Sequence, residues 1–446
     1  MSKNLFGILF GARPLLPAPK PCRILRAMIL PAALSLPLGF LAVARAETAA
    51  AGAPEPPTSW IDPDTGHRVI RLTREPGSDS FYFNVNGYTP DGKQMAYTTP
   101  EGISVLNLAT LEARQLVAGP ARAIVVGPKT PTLYYTKPTN DPLFSTLWGT
   151  NLDTGETRKL ADLPRRASVV TINADETLGA GTFIEGDASA SGAYDGSKAS
   201  GRMSPTNLGE PANKGEMMAR RLAARLPMTM FTIDLRTGAV KDLLEHNTDW
   251  LNHLQFSPTD PTLLLYCHEG LWWLVDRIWT IHTDGTHNQL VHPRTMEMEI
   301  AGHEWWGADG KTVFYQLHFR ATNLSFIAGY DVATGQRIWY YYTPEQSSIH
   351  DNSSPDGTLF CGDGDHHSPW IFLFHPVLVP DRGTLGTNLI KGGHLEAEKL
   401  VNMAKHNYQL EPNPSFTPDQ KFIVFRSNML GPDFAFAVEV AKAKSP

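Results

Sequence analysis

A tight turn followed at once by a short apolar strand recurs seven times between residues 88 and 428, and no other feature restricts the fold so severely. The copies are YTPDGKQMAYTT, VVGPKTPTLYYTK, INADETLGAGTF, FSPTDPTLLLYCH, WGADGKTVFYQL, SSPDGTLFCGDG and FTPDQKFIVFRSN. Pro, Asp and Gly supply the backbone angles of the turn, and the alternating β-branched and aromatic residues after it supply the strand. A second element follows most copies, as in LWGTNLDTGETRKLA, MFTIDLRTGAVKDLL and IAGYDVATGQRIWYY. Its Thr-Gly or Asp-Gly turn between two apolar runs is the chemistry of a hairpin. Each unit therefore holds about four strands in roughly 45 residues, the size of a propeller blade.

The two ends of the repeat complement each other. The last unit stops after its third strand, FAFAVEV, while DPDTGHRVIRLT near the other end supplies a turn and one more strand. The expected fold is all-β: a seven-bladed propeller over residues 61–446, closed by pairing that N-terminal strand into the last blade, because an unpaired edge is a liability. A pair of β-sandwiches, the alternative, leaves the recurrence unexplained. Two insertions interrupt the pattern. Residues 185–227, in the third unit, read as a Gly/Ser-rich loop leading into an arginine-rich helix over 214–226. Residues 375–405 form a second long insertion in the sixth unit, and long loops in compact folds are commonly lids or binding segments.

Composition narrows the partners. A net charge of −6 without a basic run argues against nucleic acid. Residues 1–46 carry basic residues, an apolar run and Ala44 and Ala46 around Arg45, which reads as an export signal followed by a linker over 47–60. The expected location is periplasmic or secreted, with no stable membrane insertion after cleavage; an uncleaved anchor is the alternative, since the run is near spanning length. Of three cysteines only Cys267 and Cys361 lie beyond the signal, both in strand-like contexts that favour buried free thiols.

The repeat register points to a site. Five residues before the turn position stand His253, His303, His350 and Asn413, in four consecutive units, where the first and third units have Val85 and Val169. Equivalent positions on neighbouring inner strands share one height around a propeller channel, so the four side chains are expected on one arc of one mouth. Each histidine alone reads more simply as a strand-end residue satisfied by a neighbour; three in phase do not. With Gln409 and Glu411 just upstream of Asn413, the arc is a mixed nitrogen and oxygen set suited to manganese, with zinc, nickel or iron as other candidates. GDGDHH, at residues 362–367, reads equally as a metal loop or a polar hairpin tip. There is no GxSxG, GxGxxG or GxxxxGK[ST], so serine hydrolase, dinucleotide and nucleotide sites lack support.

The run LLLYCHEGLWWLVDRIWTIHTDGT, the GHEWW segment, HDNSSPDGTLFCGDG and the closing NPSFTPDQKFIVFRSN together resemble the oligogalacturonate lyases, from about residue 61 to 440. The resemblance implies a seven-bladed propeller, a divalent metal that is manganese in the family, and β-elimination of short pectic oligosaccharides to 4-deoxy-5-ketouronate. It makes His303 a metal ligand, through the family's HEFW motif, and His253 the proton-abstracting base. It places the assisting arginine near Arg225. Arg221 on the inserted helix, with Arg220, becomes a candidate clamp for substrate carboxylates. Trp305 and His268 are candidates to touch the sugar, and Trp306, Trp272 and Trp273 offer further flat faces. The sequence departs from the family in the last unit, where a pattern like QVTHPHPSFTPD is replaced by YQLEPNPSFTPD. Glu411 and Asn413 stand where two metal histidines are expected and Gln409 is offset by one, which gives a harder, more oxygen-rich ligand set. A lyase for another uronate and a non-catalytic TolB-like propeller that binds glycan or protein are the competing readings.

Overall fold

The computed structural model describes residues 56–185, 214–380, 383 and 389–443. The expected export signal and the Gly/Ser-rich part of the first insertion lie outside the described residues. Among those residues no helix is long and apolar enough to cross a membrane.

The turn chemistry read from the sequence is what folds the chain locally. At the Thr-Gly hairpins an Asn or Asp side chain accepts from two backbone N–H groups ahead of it: Asn151 from Asp153 and Thr154, Asp234 from Arg236 and Thr237, Asp331 from Ala333 and Thr334. The glycines that follow, Gly155, Gly238 and Gly335, take φ of +75°, +73° and +72°, which a residue with a Cβ rarely adopts. The Pro-Asp turns close similarly, with Asp91, Asp356 and Asp419 each accepting from the backbone two residues on and from a Thr or Ser hydroxyl.

These turns produce all-β architecture in successive antiparallel groups. Three groups are four-stranded meanders, over Arg122–Val126 to Thr157–Asp162, Ala167–Ile172 to Val240–Asn247, and Trp250–Phe256 to Gln289–Leu290. Before them Gln94–Thr99, Gly102–Asn107 and Ala113–Ala118 make a three-stranded sheet. After them comes one eight-stranded sheet, in place of two separate four-stranded ones. It fuses a meander that begins at Glu299–Trp306 with one that begins at Asp351–Ser353, through parallel pairing of Arg337–Tyr342 with Ile390–Asn402. The fusion corrects the reading of residues 375–405 as an inserted loop: Trp370–Leu378 and Ile390–Asn402 form a long hairpin. The alternation in KGGHLEAEKLVN is the period-2 signal that supports it.

Closure occurs as expected. Val69, Ile70 and Arg71 pair with Val438, Ala437 and Phe436 of the last strand, Phe434–Lys442. A further strand, Ser59–Ile61, pairs outside it, so regular structure starts two residues before the expected boundary and within the expected linker. The inserted helix runs Lys214–Ala224, shorter than expected because Arg225 adopts φ +43° and Pro227 follows two residues later. Between neighbouring sheets the inward residues make apolar layers, such as Leu265 and Ile278 against Val313, Tyr315 and Leu317. Cys267 and Cys361 are buried free thiols.

Candidate metal-binding and catalytic site

Three of the four residues in register share an unusual backbone. His253, His303 and Asn413 have φ of +50°, +50° and +53°. For His253 and His303 the cause is a bulge: the pairing register slips between Asn252 and Gln255, and again between Gly302 and Trp305. A bulge turns one side chain out of the alternation, and a strained non-glycine conformation that recurs at equivalent positions marks a place where side-chain direction matters more than local stability.

Two of the four side chains, His303 and His350, meet. The rings of His303 and His350 have centroids 4.6 Å apart. His350 is fully buried, with Nδ1 3.0 Å from Asp363 Oδ2, and its Nε2 is 3.8 Å from Glu411 Oε2 and 3.3 Å from the Tyr82 hydroxyl. His303 Nδ1 lies 2.8 Å from Gln316 Oε1. Gln316 spends its amide N–H groups on Ser348 O and Asp351 Oδ2, at 2.9 and 2.6 Å, so its oxygen must accept from His303. Both rings therefore hold their proton on Nδ1 and present Nε2, the arrangement in which outer hydrogen bonds orient metal-binding imidazoles. Asn413 is buried and bonds Glu411 O through Nδ2, while its Oδ1 has no hydrogen-bond partner among the described residues. A buried carbonyl oxygen without a partner, two residues along the chain from Glu411, is a donor of the kind a hard divalent cation takes.

Gln409 is not part of this convergence: it is exposed on the turn before Glu411. A backbone N–H bond from that residue to Asn407 Oδ1 at 3.0 Å shapes the turn.

His253 has a separate setting. Its Nε2 is 3.2 Å from Glu269 Oε2. Glu269 Oε1 accepts from Arg277 at 2.5 Å, and Arg277 Nε donates to Glu304 Oε2 at 3.1 Å, all three charged groups being buried. Burial alone would raise the Glu269 carboxyl, but Arg277 and His253 hold it well below the usual carboxylate range. His253, Cys267 and Glu269 place one possible ligand atom each within 4.8 Å of one another. This cluster is a poor cation site. Burial pushes the Cys267 thiol well up, and the Arg277 guanidinium already neutralises the carboxylate. It is an oriented histidine on an ion-paired carboxylate, as a general base requires.

The structure moves several expected contact residues elsewhere. Trp305 is 1% exposed, stacks on Phe314 at 5.7 Å and donates to Ser353 Oγ at 2.8 Å, so it is a core residue and does not face a sugar. Arg221 is buried with its guanidinium 4.0 Å from the Trp250 ring centre, and Arg220 pairs with Glu216 at 2.5 Å; both fasten the helix. Arg225, exposed, donates to Thr248 Oγ1 at 2.7 Å and lies 3.9 Å from Asp249, not against His253. His268 stacks on Trp279 at 5.0 Å with Nδ1 3.3 Å from Asp249, and burial pushes its pKa down. Trp272, by contrast, meets His303 edge-on at 4.8 Å.

Residues absent from the sequence reading complete the neighbourhood: Tyr82, Asp363, Gln316 and Arg277. Arg277 lies in the run LVDRIW and Asp363 in the loop GDGDHH, so each sat in a stretch already singled out. Asp363 binds the backbone N–H groups of Ile349 and His350 as well as the His350 ring, which settles that loop as a support for the site. Gln316 and Tyr82 carried no signal.

An all-β repeat fold that brings two imidazoles into contact and sets a separate histidine on an ion-paired glutamate fits a metal-dependent lyase. The chain is a member of the oligogalacturonate lyase family, whose model matches residues 57–443. It is 27% identical to the oligogalacturonate lyase of Dickeya dadantii (strain 3937) over 404 residues, covering 86% of this chain and 95% of that one. The same identity and coverage hold for the oligogalacturonide lyase of Pectobacterium atrosepticum. Among solved structures it resembles an oligogalacturonate lyase in complex with manganese, with a TM-score of 0.68 at 23% identity over 86% of this chain and 96% of that one. An oligogalacturonate lyase from Vibrio parahaemolyticus gives 0.66 at 22% identity, with the same coverage.

Proposed function

We propose that the protein is a divalent-metal-dependent lyase that cleaves short oligogalacturonates by β-elimination, releasing 4-deoxy-5-ketouronate, and that its ion is manganese. The observation that carries this reading is the contact of the His303 and His350 rings, each with Nδ1 engaged by a neighbouring side chain, so that Nε2 is the ring nitrogen that would bind an ion. His303, His350, Glu411 and Asn413 Oδ1 would hold the ion. When bound, such an ion neutralises charge that develops on a uronate carboxylate. His253 takes the C5 proton, alpha to that carboxylate, and Glu269 holds its ring in place. Trp272, edge-on to His303, flanks the sugar. The partner is a small acidic oligosaccharide, with no nucleic acid.

The seven successive strand groups, two of them fused into one sheet, are read as seven blades around the channel that the histidines line. Residues 1–46 are read as an export signal, which puts the enzyme in the periplasm or outside the cell. Glu411 and Asn413, in place of the histidines the family pattern calls for, support a second reading in which the substrate is an oligomer of a different uronate. The test is incubation of purified protein with Mn²⁺ and digalacturonate, with and without chelator. Ketouronate should appear only without chelator; a metal-loaded protein inert towards every uronate oligomer overturns the reading.

A further inference from the structure

Two loops of neighbouring strand groups occupy equivalent places. In one group Glu269 ends the second strand opposite Trp250, the first residue of the strand that carries His253. In the next, Phe319 ends the second strand opposite Glu299, the first residue of the strand that carries His303. Residues 270–277 and 320–323, which follow those ends, therefore lie at the same end of their sheets as the starts of the two histidine strands.

The first of these loops carries two tryptophans in a row. Trp272 reaches the site: its ring meets His303 edge-on at 4.8 Å, and the Arg277 guanidinium lies 5.1 Å from its centre. Trp273 meets the other loop instead, with the Arg320 guanidinium 5.4 Å from its ring centre. The loop is held in place, since the Trp273 carbonyl accepts from Arg294 Nη1 and Arg294 Nε donates to Asp276 Oδ1 at 3.2 Å. Leu274, next in the chain, is 55% exposed.

Arg320 is exposed, and among the described residues its guanidinium has no hydrogen bond and no acidic partner. Arg225, Arg277 and Arg294, by contrast, each engage an acid. An arginine that lies over an indole keeps its N–H edge open, and that edge matches a carboxylate with two parallel hydrogen bonds. The indole and exposed Leu274 supply the apolar surface that the C–H face of a sugar covers.

We propose that Trp273 and Arg320 form a subsite for the uronate that neighbours the reacting one, an assignment that rests on the lyase reading above. Every sugar of an oligogalacturonate carries a carboxylate, and the ion at His303 and His350 takes only one. The next carboxylate is met by Arg320. Trp272 touches His303 and Trp273 follows it in the chain, so two neighbouring sugars meet two neighbouring residues of one loop. No bond is made or broken there; the subsite contributes affinity.

Arg320→Gln removes the charge from an exposed side chain and leaves the fold alone. Digalacturonate is compared with galactosyl-galacturonate, in which the neighbouring sugar has no carboxylate. The second is followed as a competitor of digalacturonate cleavage, so its binding is read whether or not it reacts. Arg320→Gln should raise the KM for digalacturonate about fivefold, the upper end for one exposed ion pair, and leave the inhibition constant of galactosyl-galacturonate at the wild-type value. Trp273→Ala should weaken both sugars, because a ring contact needs no carboxylate, and Trp273→Tyr should restore them. An unchanged KM in Arg320→Gln, equal weakening of the two sugars by that variant, or no effect of Trp273→Ala overturns the subsite and leaves the lyase reading standing. Wild-type protein inert on digalacturonate overturns the lyase reading and the subsite with it.

Discussion

His253 Nε2 lies 3.2 Å from Glu269 Oε2, and the other oxygen of that carboxylate is held by buried Arg277. The histidine is thus oriented by a charge that is itself compensated, so Glu269 holds both the His253 ring and the buried Arg277. Glu269→Gln should lose both contacts. Removing one partner of a buried ion pair costs about 3–5 kcal/mol, and the Arg277 guanidinium would retain only Glu304. Thermal denaturation should show a large drop in midpoint together with a drop in kcat; an unchanged midpoint would count against the network.

His253→Gln tests the division of labour between the two histidine settings. Turnover should fall by about 10²–10⁴-fold, the usual contribution of general base catalysis. Mn²⁺ affinity, measured by calorimetry, should stay at the wild-type value because His253 is bound to Glu269 and not to the His303 and His350 pair. Weakened metal binding would place His253 in the ion site instead.

The proposed ligand set makes the last unit the place where ion preference is set. With Glu411 and Asn413 both changed to His, the site gains nitrogen donors and loses oxygen donors, so competition titrations should show selectivity moving from Mn²⁺ towards Zn²⁺ and Ni²⁺. An unchanged ratio would show that neither residue touches the ion.

How far the site could be read from the sequence depended on periodicity. His253, His303, His350 and Asn413 were legible because the repeat gave them a common register, and the strand ends do bring the rings of His303 and His350 together. The closing strand was legible because one end lacked what the other supplied. Residues outside the register were not. Trp305 looked like a sugar platform because its alternation is interrupted by the bulge at His303, which sends it into the core. Arg225 was placed by distance along an inserted segment, where repeat spacing carries no information. Tyr82 and Gln316 enter through non-local contacts, the first by a segment that leaves its own sheet and the second from the neighbouring strand of the same meander.

Trp305→Ala should therefore act on stability. Deleting a buried aromatic costs about 3–5 kcal/mol, and Trp305→Phe, which keeps the stack on Phe314, should retain the wild-type KM for digalacturonate. A raised KM with unchanged stability would restore the sugar contact.

Acid should unfold the protein partly through His318. Burial, with Arg320 nearby, lowers its pKa from 6.5 to about 4. The unfolded chain then binds a proton that the folded one refuses, so the contribution is fully present above pH 6.5 and is lost as pH falls towards 4. His318→Asn should flatten the midpoint-versus-pH curve over that window; an equally steep curve would assign the acid sensitivity to other groups.

The central claim is that His303 and His350 hold the ion. Anomalous diffraction at the manganese edge, from crystals soaked in Mn²⁺, tests it directly. A single peak bound by Nε2 of both His303 and His350, with Glu411 and Asn413 Oδ1 turned towards it, is the predicted result. A peak at His253, Cys267 and Glu269, or no peak near His303, would contradict it.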